Sequence, residues 1–300
     1  PDGRIEATPD GPVVLTADGT WRTDAGAADA DIRLVAAGAD LGFKGQLAAG
    51  EGSGRLSARI PELAPLAALF GETLGGAVTA AGEGRLYGGD GFSVTVSGTA
   101  TGFDPGAAVA ARLLAGETAF SGRVAEARDG SLVLDDIAVG GPALSATGRF
   151  AAGRDVIGGS FKGTISNLAL LAEQSSGSAA FSASLSGPPD RPAVDLTLSV
   201  DDGRLLDQPV RRASLRFEGA PTAGGWAGAL TLGGSVAGKP LSGRADAELG
   251  AGGRLAFPRV DIDIAGNRVT GAVSAADGGL LSGALTVDAP DFRTLAALAL

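Results

Sequence analysis

The stretch "VDIDIAGNRVTGAV", residues 260–273, decides how the chain is read. Val260, Ile262 and Ile264 alternate with Asp261 and Asp263. A strand here puts three branched apolar side chains on one face and two carboxylates on the other. Val269 and Val273 repeat the period, with Gly271 between them. The same alternation runs through Leu196, Leu198 and Val200, through Leu215 and Phe217, through Leu230 and Leu232, and through Leu285 and Val287. Clusters of turn-forming residues separate the runs: Arg128-Asp129-Gly130, Gly187-Pro188-Pro189-Asp190, Asp201-Asp202-Gly203 and Ala276-Asp277-Gly278-Gly279. One apolar and one polar face marks an antiparallel sheet with a single solvated side. Glycines inside the runs, such as Gly271 and Gly283, predict sharp curvature.

Composition narrows the chemistry. The formal net charge is −10 and no basic stretch stands out, so a nucleic-acid footprint is missing. Cysteine and histidine are both absent. Their absence removes thiolate metal sites, most zinc sites and the usual serine-hydrolase triads, and the chain reads as a protein that is not an enzyme and uses no cofactor. Methionine is absent as well, even at position 1, so the expectation is an internal slice of a longer polypeptide. No run of 18 apolar residues occurs. Aromatics make up only 5%, which predicts a thin core.

Several local patterns mimic binding sites. Gly233 to Lys239 reads G-x-x-x-x-G-K, one residue short of a phosphate-binding loop. That loop needs Ser or Thr next, to hold Mg²⁺, and here the residue is Pro240. The residues after Pro240 alternate like a strand rather than opening a helix, so the stretch reads as a hairpin turning at Gly238-Lys239-Pro240. Gly88 to Val94 resembles one calcium nonapeptide but lacks tandem copies. Asp261, Asp263 and Gly266 mimic part of an EF-hand loop but lack its closing glutamate. Asp135-Asp136 and Asp201-Asp202 are adjacent pairs, whose side chains point to opposite faces of a strand. Trp21 and Trp226 have no second aromatic beside them and read as packing residues.

Four segments break the alternation and read as short helices: residues 61–70, 104–114, 167–173 and 291–300. No domain boundary stands out, so residues 1–300 read as a single extended, repetitive β region.

The stretch "FPRVDIDIAGNRVTGAVSAADGGLLSGALTVDAPDFRTLAAL", residues 257–298, carries a strand, a small-residue turn, then v-x-G-x-v and l-x-G-x-l-x-x-D-x-x-D-L-x-x-L, with Phe292 where leucine is more usual. It resembles the TamB family, within the AsmA-like group of bridge-like lipid-transfer proteins. Residues 60–82 repeat the helix and following strand, and residues 186–219 resemble the family's G-x-P-x-x-P-x-v strand opener. The resemblance covers residues 58–300. It implies a mostly β fold: an elongated, curved, taco-like antiparallel sheet with a few short helices and an apolar trough. It further implies a periplasmic bridge, anchored in the inner membrane through a segment outside this chain, that carries phospholipid between the inner and outer membranes. An Omp85-type outer-membrane barrel is the implied partner, with a role in outer-membrane protein assembly. The residues expected to meet acyl chains are Leu196, Leu198, Val200, Leu215, Phe217, Leu230, Leu232, Val260, Ile262, Ile264, Val269, Val273, Leu285 and Val287. The helices around Leu66 and Leu295 are expected to dock on the trough. The alternative reading is a structural or adhesive β-solenoid from a secreted passenger domain, which would build parallel coils of strict period.

The hairpin reading of Gly233 to Lys239 has a direct check. Lys239→Ala is expected to leave stability nearly unchanged, as substitutions of exposed turn residues do, and calorimetry should find no Mg²⁺-dependent ATP binding in either protein. Micromolar ATP binding abolished by the substitution would reinstate the phosphate loop.

Overall fold

The structure is a computed structural model that describes residues 13–22, 26–68, 73–87, 91–126, 129–205, 208–250, 254–275 and 281–291. The chain falls into two units, Pro1–Gly153 and Arg154–Leu300. Both are antiparallel sheets in which strands adjacent in sequence pair with one another.

In the first unit the strands are β1 (Val14–Arg22), β2 (Ala27–Ala36), β3 (Ala39–Ala48), β4 (Glu51–Ile60), β5 (Gly75–Leu86), β6 (Phe92–Asp104), β7 (Glu117–Glu126), β8 (Leu132–Gly140) and β9 (Leu144–Ala152). Each pairs antiparallel with the next. Two short helices interrupt the meander: α1 (Ala64–Ala68) between β4 and β5, and α2 (Ala108–Leu113) between β6 and β7.

The second unit holds β10 (Ile157–Ile165), β11 (Ser175–Gly177), β12 (Ala179–Gly187), β13 (Ala193–Leu205), β14 (Gln208–Thr222), β15 (Gly225–Val236), β16 (Lys239–Gly250), β17 (Leu255–Ile264), β18 (Asn267–Ala275) and β19 (Leu281–Asp288). β10 pairs with β12, and from β12 each strand pairs antiparallel with the next. The three-residue β11 extends the ladder at the far end of β13. A 3₁₀ turn, Leu168–Leu170, follows β10, and its first free N–H is capped by Asn167, whose Oδ1 accepts from Ala169 N at 3.0 Å.

The hairpin turns are a small set. Ala37-Gly38, Ala49-Gly50, Ala237-Gly238 and Ala265-Gly266 are two-residue loops in which both residues have positive φ. That is the type I′ geometry, whose twist matches that of the flanking strands. The turn expected at Gly238-Lys239-Pro240 therefore lies one residue earlier. Proline cannot take positive φ, so Lys239 and Pro240 instead open β16, opposite Val236 and Ser235. The turn expected at Asp201-Asp202-Gly203 is also displaced: all three residues lie within β13, where Asp202 faces Arg211 and Gly203 faces Val210. Ala276 to Gly279 lies outside the described residues.

The helices occupy three of the four segments that break the alternation. Beyond Asp291 the fourth lies outside the described residues. Ala67 of α1, Leu113 of α2 and Leu168 of the 3₁₀ turn are each buried. In the first unit α1, α2 and the Ala37-Gly38 turn gather at one end of the strands. Ala39, Ala67, Ala100 and Leu113 are buried there. At the corresponding end of the second unit, Ile165, Leu168, Ala179 and Val210 are buried. There the turns are laced together: Ala237 N donates to Pro209 O at 2.7 Å, and Ala265 N to Pro240 O at 2.9 Å.

Away from those ends, within each unit and among the described residues, a strand's main neighbours are the strands beside it.

Glycine takes the place of side chains where large ones need room. A Cβ on Gly54 would lie 2.7 Å from Phe43 Cζ and 3.0 Å from Lys44 O, so the ring of Phe43 occupies the space that glycine leaves. Gly54→Ala is expected to cost about 1–3 kcal/mol, the range for an overpacked site. Part of that cost should vanish in a Phe43→Leu background. Gly238 has open space around its Cβ position and a φ of 74°, so Gly238→Ala should cost about 1–2 kcal/mol from backbone strain alone, with no coupling to Phe43. Urea unfolding of the single and double variants measures all three values.

Candidate apolar binding face

In an antiparallel ladder, directly opposed residues share a face. The register of the second unit therefore assigns every apolar residue to a side. One row across the sheet is Phe181, Leu198, Leu215, Leu232, Gly243, Ile262, Val269 and Val287, each opposite the next. The adjacent row is Ala183, Leu196, Phe217, Leu230, Ala245, Val260, Gly271 and Leu285. Val200, Ile264 and Val273 stand two positions from members of these rows on their own strands, on the same side. The fourteen residues picked from alternation alone thus lie on one face of one sheet.

That face is open. Leu196 and Leu215 in the middle of the sheet retain 40% and 39% of their exposure. Leu285 and Val287 at its margin retain 52% and 53%. The end near the 3₁₀ turn is closed: Leu168 Cδ1 lies 3.7 Å and Val200 Cγ1 2.9 Å from the Cβ position of Gly203.

Sequence reasoning missed two parts of this surface. The first is its extension onto β10 and β12 through Phe161, Phe181 and Leu185, which the register joins to the same rows. Their period-two spacing with serine and lysine between them was the available signal. The second is the matching face of the first unit. There Ala17, Ile32, Phe43, Leu56, Gly82, Val96 and Gly122 form one row. A groove of about 380 Å³ runs between Ile32, Leu34, Leu41, Phe43, Leu56 and Val96.

The opposite faces carry most of the charge, and several of these residues form ion pairs. Arg216 bridges Asp195 at 2.5 Å and Glu218 at 2.8 Å, Arg268 holds Asp261 at 2.5 Å, and Arg33 holds Asp40 at 2.5 Å. A larger hollow, on the polar side of the first unit, is lined by pairs of this kind, Lys44–Asp31 and Arg55–Glu83. The EF-hand-like residues are also accounted for: Asp261 is taken by Arg268, and Asp263 Oδ1 accepts from Gly266 N at 3.0 Å inside the turn. No group of three or more carboxylates suited to a metal occurs among the described residues. Gly233 and Gly234 lie inside β15, paired with β16 as part of the sheet rather than in a loop before a helix. Gly88 to Asp90 lies outside the described residues. Trp226 sits on the apolar face, opposite Pro221 and Leu249. Among the described residues no helix is long and apolar enough to cross a membrane.

No protein-family model, no curated protein and no solved structure matches the chain.

The ion pairs set a pH dependence. Hydrogen bonds from Arg33, Arg216 and Arg268 lower the pKa of Asp40, Asp195 and Asp261 respectively. A carboxylate with a depressed folded-state pKa stabilises fully above its unfolded value, near ~3.9, and loses that contribution as pH falls through the folded value. Thermal stability should therefore be flat around neutrality and fall below about pH 4. Asp261→Asn should lower stability at neutral pH and make the acid loss shallower. An acid limb identical to that of the unmodified protein would show that this pair is not linked to folding.

Proposed function

We infer that the apolar faces of these sheets bind the acyl chains of phospholipid, and that the chain is a section of a periplasmic bridge carrying lipid between inner and outer membranes. The observation that carries this reading is the placement of the fourteen apolar residues on one face of the second unit, where Leu196, Leu215, Leu285 and Val287 stay exposed. A face of this kind in water is costly. Each methylene brought out of water is worth about 0.8 kcal/mol, so an acyl chain of ~16 carbons gains on the order of 10 kcal/mol on a dry apolar surface. The rows lie about 6.8 Å apart, two residues along a strand, and step about 4.8 Å from one strand to the next. Every member of the two rows is apolar or glycine, so a chain moving along them meets no ion that must be desolvated. No chemical step is required.

The resemblance to the TamB family supports the wider setting: an inner-membrane anchor outside this chain, an Omp85-type barrel as partner, and a contribution to outer-membrane protein assembly. Antiparallel pairing favours the lipid reading over the solenoid, whose coils would be parallel.

Leu232 and Thr231 are neighbours on β15 that face opposite sides. A photo-crosslinking residue at 232 should capture phospholipid in cells, and one at 231 should not. Leu232→Asp should reduce transfer, while Thr231→Asp should not, with protein level followed in parallel. Equal capture at both positions, or full transfer by a stably folded Leu232→Asp protein, contradicts the proposal.

A further inference from the structure

The hollow on the polar side of the first unit has a volume of about 1310 Å³. Four cationic side chains line it, and they differ in what holds them. Lys44 is paired with Asp31 at 3.2 Å and Arg55 with Glu83 at 3.5 Å. Arg85 on β5 and Arg123 on β7 have no carboxylate partner among the described residues.

The two guanidiniums are brought together across β6. Arg85 stands directly opposite Ser93, and Arg123 stands opposite Thr95, the next residue of β6 on that face. Arg123 nonetheless reaches diagonally, and its Nε donates to Ser93 Oγ at 3.0 Å. Diagonal neighbours of this kind lie about 7–8 Å apart, within the reach of a long side chain. Ser93 is only 8% exposed, so its hydroxyl fixes the direction of Arg123 from beneath. On its other side Arg123 faces Asp135 of β8 in register, yet the two form no ion pair. The bond to Ser93 turns Arg123 away from the carboxylate opposite it and toward Arg85. In the row of Arg85 the flanking residues are Ser53 and Ser93, both neutral hydroxyls. Glu83, two residues before Arg85 on the same face, is engaged by Arg55.

Like charges gathered this way are unfavourable on their own, and an anion shared between them removes the cost. Arginine forks take phosphate oxygens two at a time. One fork satisfies a planar carboxylate. Two forks converging over a strand, with the Ser53 hydroxyl beside them, suit a tetrahedral group with oxygens in several directions. The apolar rows lie on the opposite face of the sheet, so the group that binds here comes from the aqueous side. We propose that Arg85 and Arg123, aligned over Ser93, form a binding site for the phosphate of a water-soluble phosphate ester. The site does not rest on lipid binding at the other face.

Titration calorimetry of the full chain with inorganic phosphate and with glycerol 3-phosphate, at low ionic strength, tests this. Both should bind, and added salt should weaken the binding. Arg85→Gln and Arg123→Gln should each weaken it at least about tenfold, because each removes charge-assisted hydrogen bonds. The double variant should abolish it. Ser93→Ala should weaken binding by freeing Arg123 to turn to Asp135, and adding Asp135→Asn should regain part of that loss. Arg216→Gln, which breaks an ion pair on the polar face of the second unit, should leave phosphate binding unchanged. Circular dichroism checks that each variant keeps its sheet. No heat of binding at millimolar phosphate, undiminished binding by folded Arg85→Gln and Arg123→Gln proteins, or an equal loss in Arg216→Gln overturns the proposal. So does binding to phosphatidylglycerol vesicles without binding to either soluble phosphate, which would make the patch a membrane-surface contact.

Discussion

Everything in this structure depends on one imbalance: the sheets have an apolar face and nothing of their own to lay on it. A β-sandwich would meet that demand with a second sheet, and an α/β fold with helices. Here the helices are five and six residues long, with a single 3₁₀ turn besides, among the described residues. They close one end of the strands and leave the rest. Of the nine buried apolar residues among those described, all but Ala247 lie at these ends, while Leu196 and Leu215 in the middle of a sheet stay exposed. Stability must come from sideways contacts, which means the backbone ladders and the cross-strand pairs.

Those pairs explain the glycine content. A single layer cannot bury a phenyl ring beneath another element, so rings such as Phe43 and Phe217 lie down across neighbouring strands. The space they occupy is left by Gly54 and Gly228; Phe217 Cε2 is 2.6 Å from the Cβ position of Gly228. The apolar surface becomes low and continuous rather than knobbed. On the other face the arginine–aspartate pairs tie strands together without entering the apolar side. A surface built this way suits a flexible hydrocarbon chain that needs continuity more than shape.

Much of this was legible in the sequence, and the failures have physical causes. Val260-Asp261-Ile262-Asp263-Ile264 declares its faces because the two sides differ in kind, and the register confirms that the other apolar runs share its side. "EGSGRLSARI" on β4 declares less. Its apolar side reads Gly52, Gly54, Leu56, Ala58 and Ile60, half of it too small to register as hydrophobic until Phe43 is seen lying over Gly54. Asp201-Asp202-Gly203 has the composition of a turn, yet the ladder to β14 keeps it extended, with Asp202 paired to Arg211 at 3.1 Å. Turn composition is local and ladder pairing is not. The type I′ turns escaped for a related reason: Ala-Gly is a weaker signal than Asn-Gly, and alanine accepts positive φ here because the flanking strands demand it. Asn267 is invisible to pattern reading. It is fully buried, donates to Ile264 O at 3.1 Å and accepts from Asp291 N at 3.1 Å, which fixes the segment after β19 to the β17–β18 turn.

The most direct test of the central claim is native mass spectrometry of the chain purified from cells without detergent. If the apolar faces hold acyl chains, the spectrum should show the protein with phospholipid-mass adducts, and stripping those lipids should expose a surface that brightens an apolar fluorophore. A lipid-free protein whose surface gives no such signal would show that the face is covered by protein, and the account of an open acyl-chain surface would be wrong.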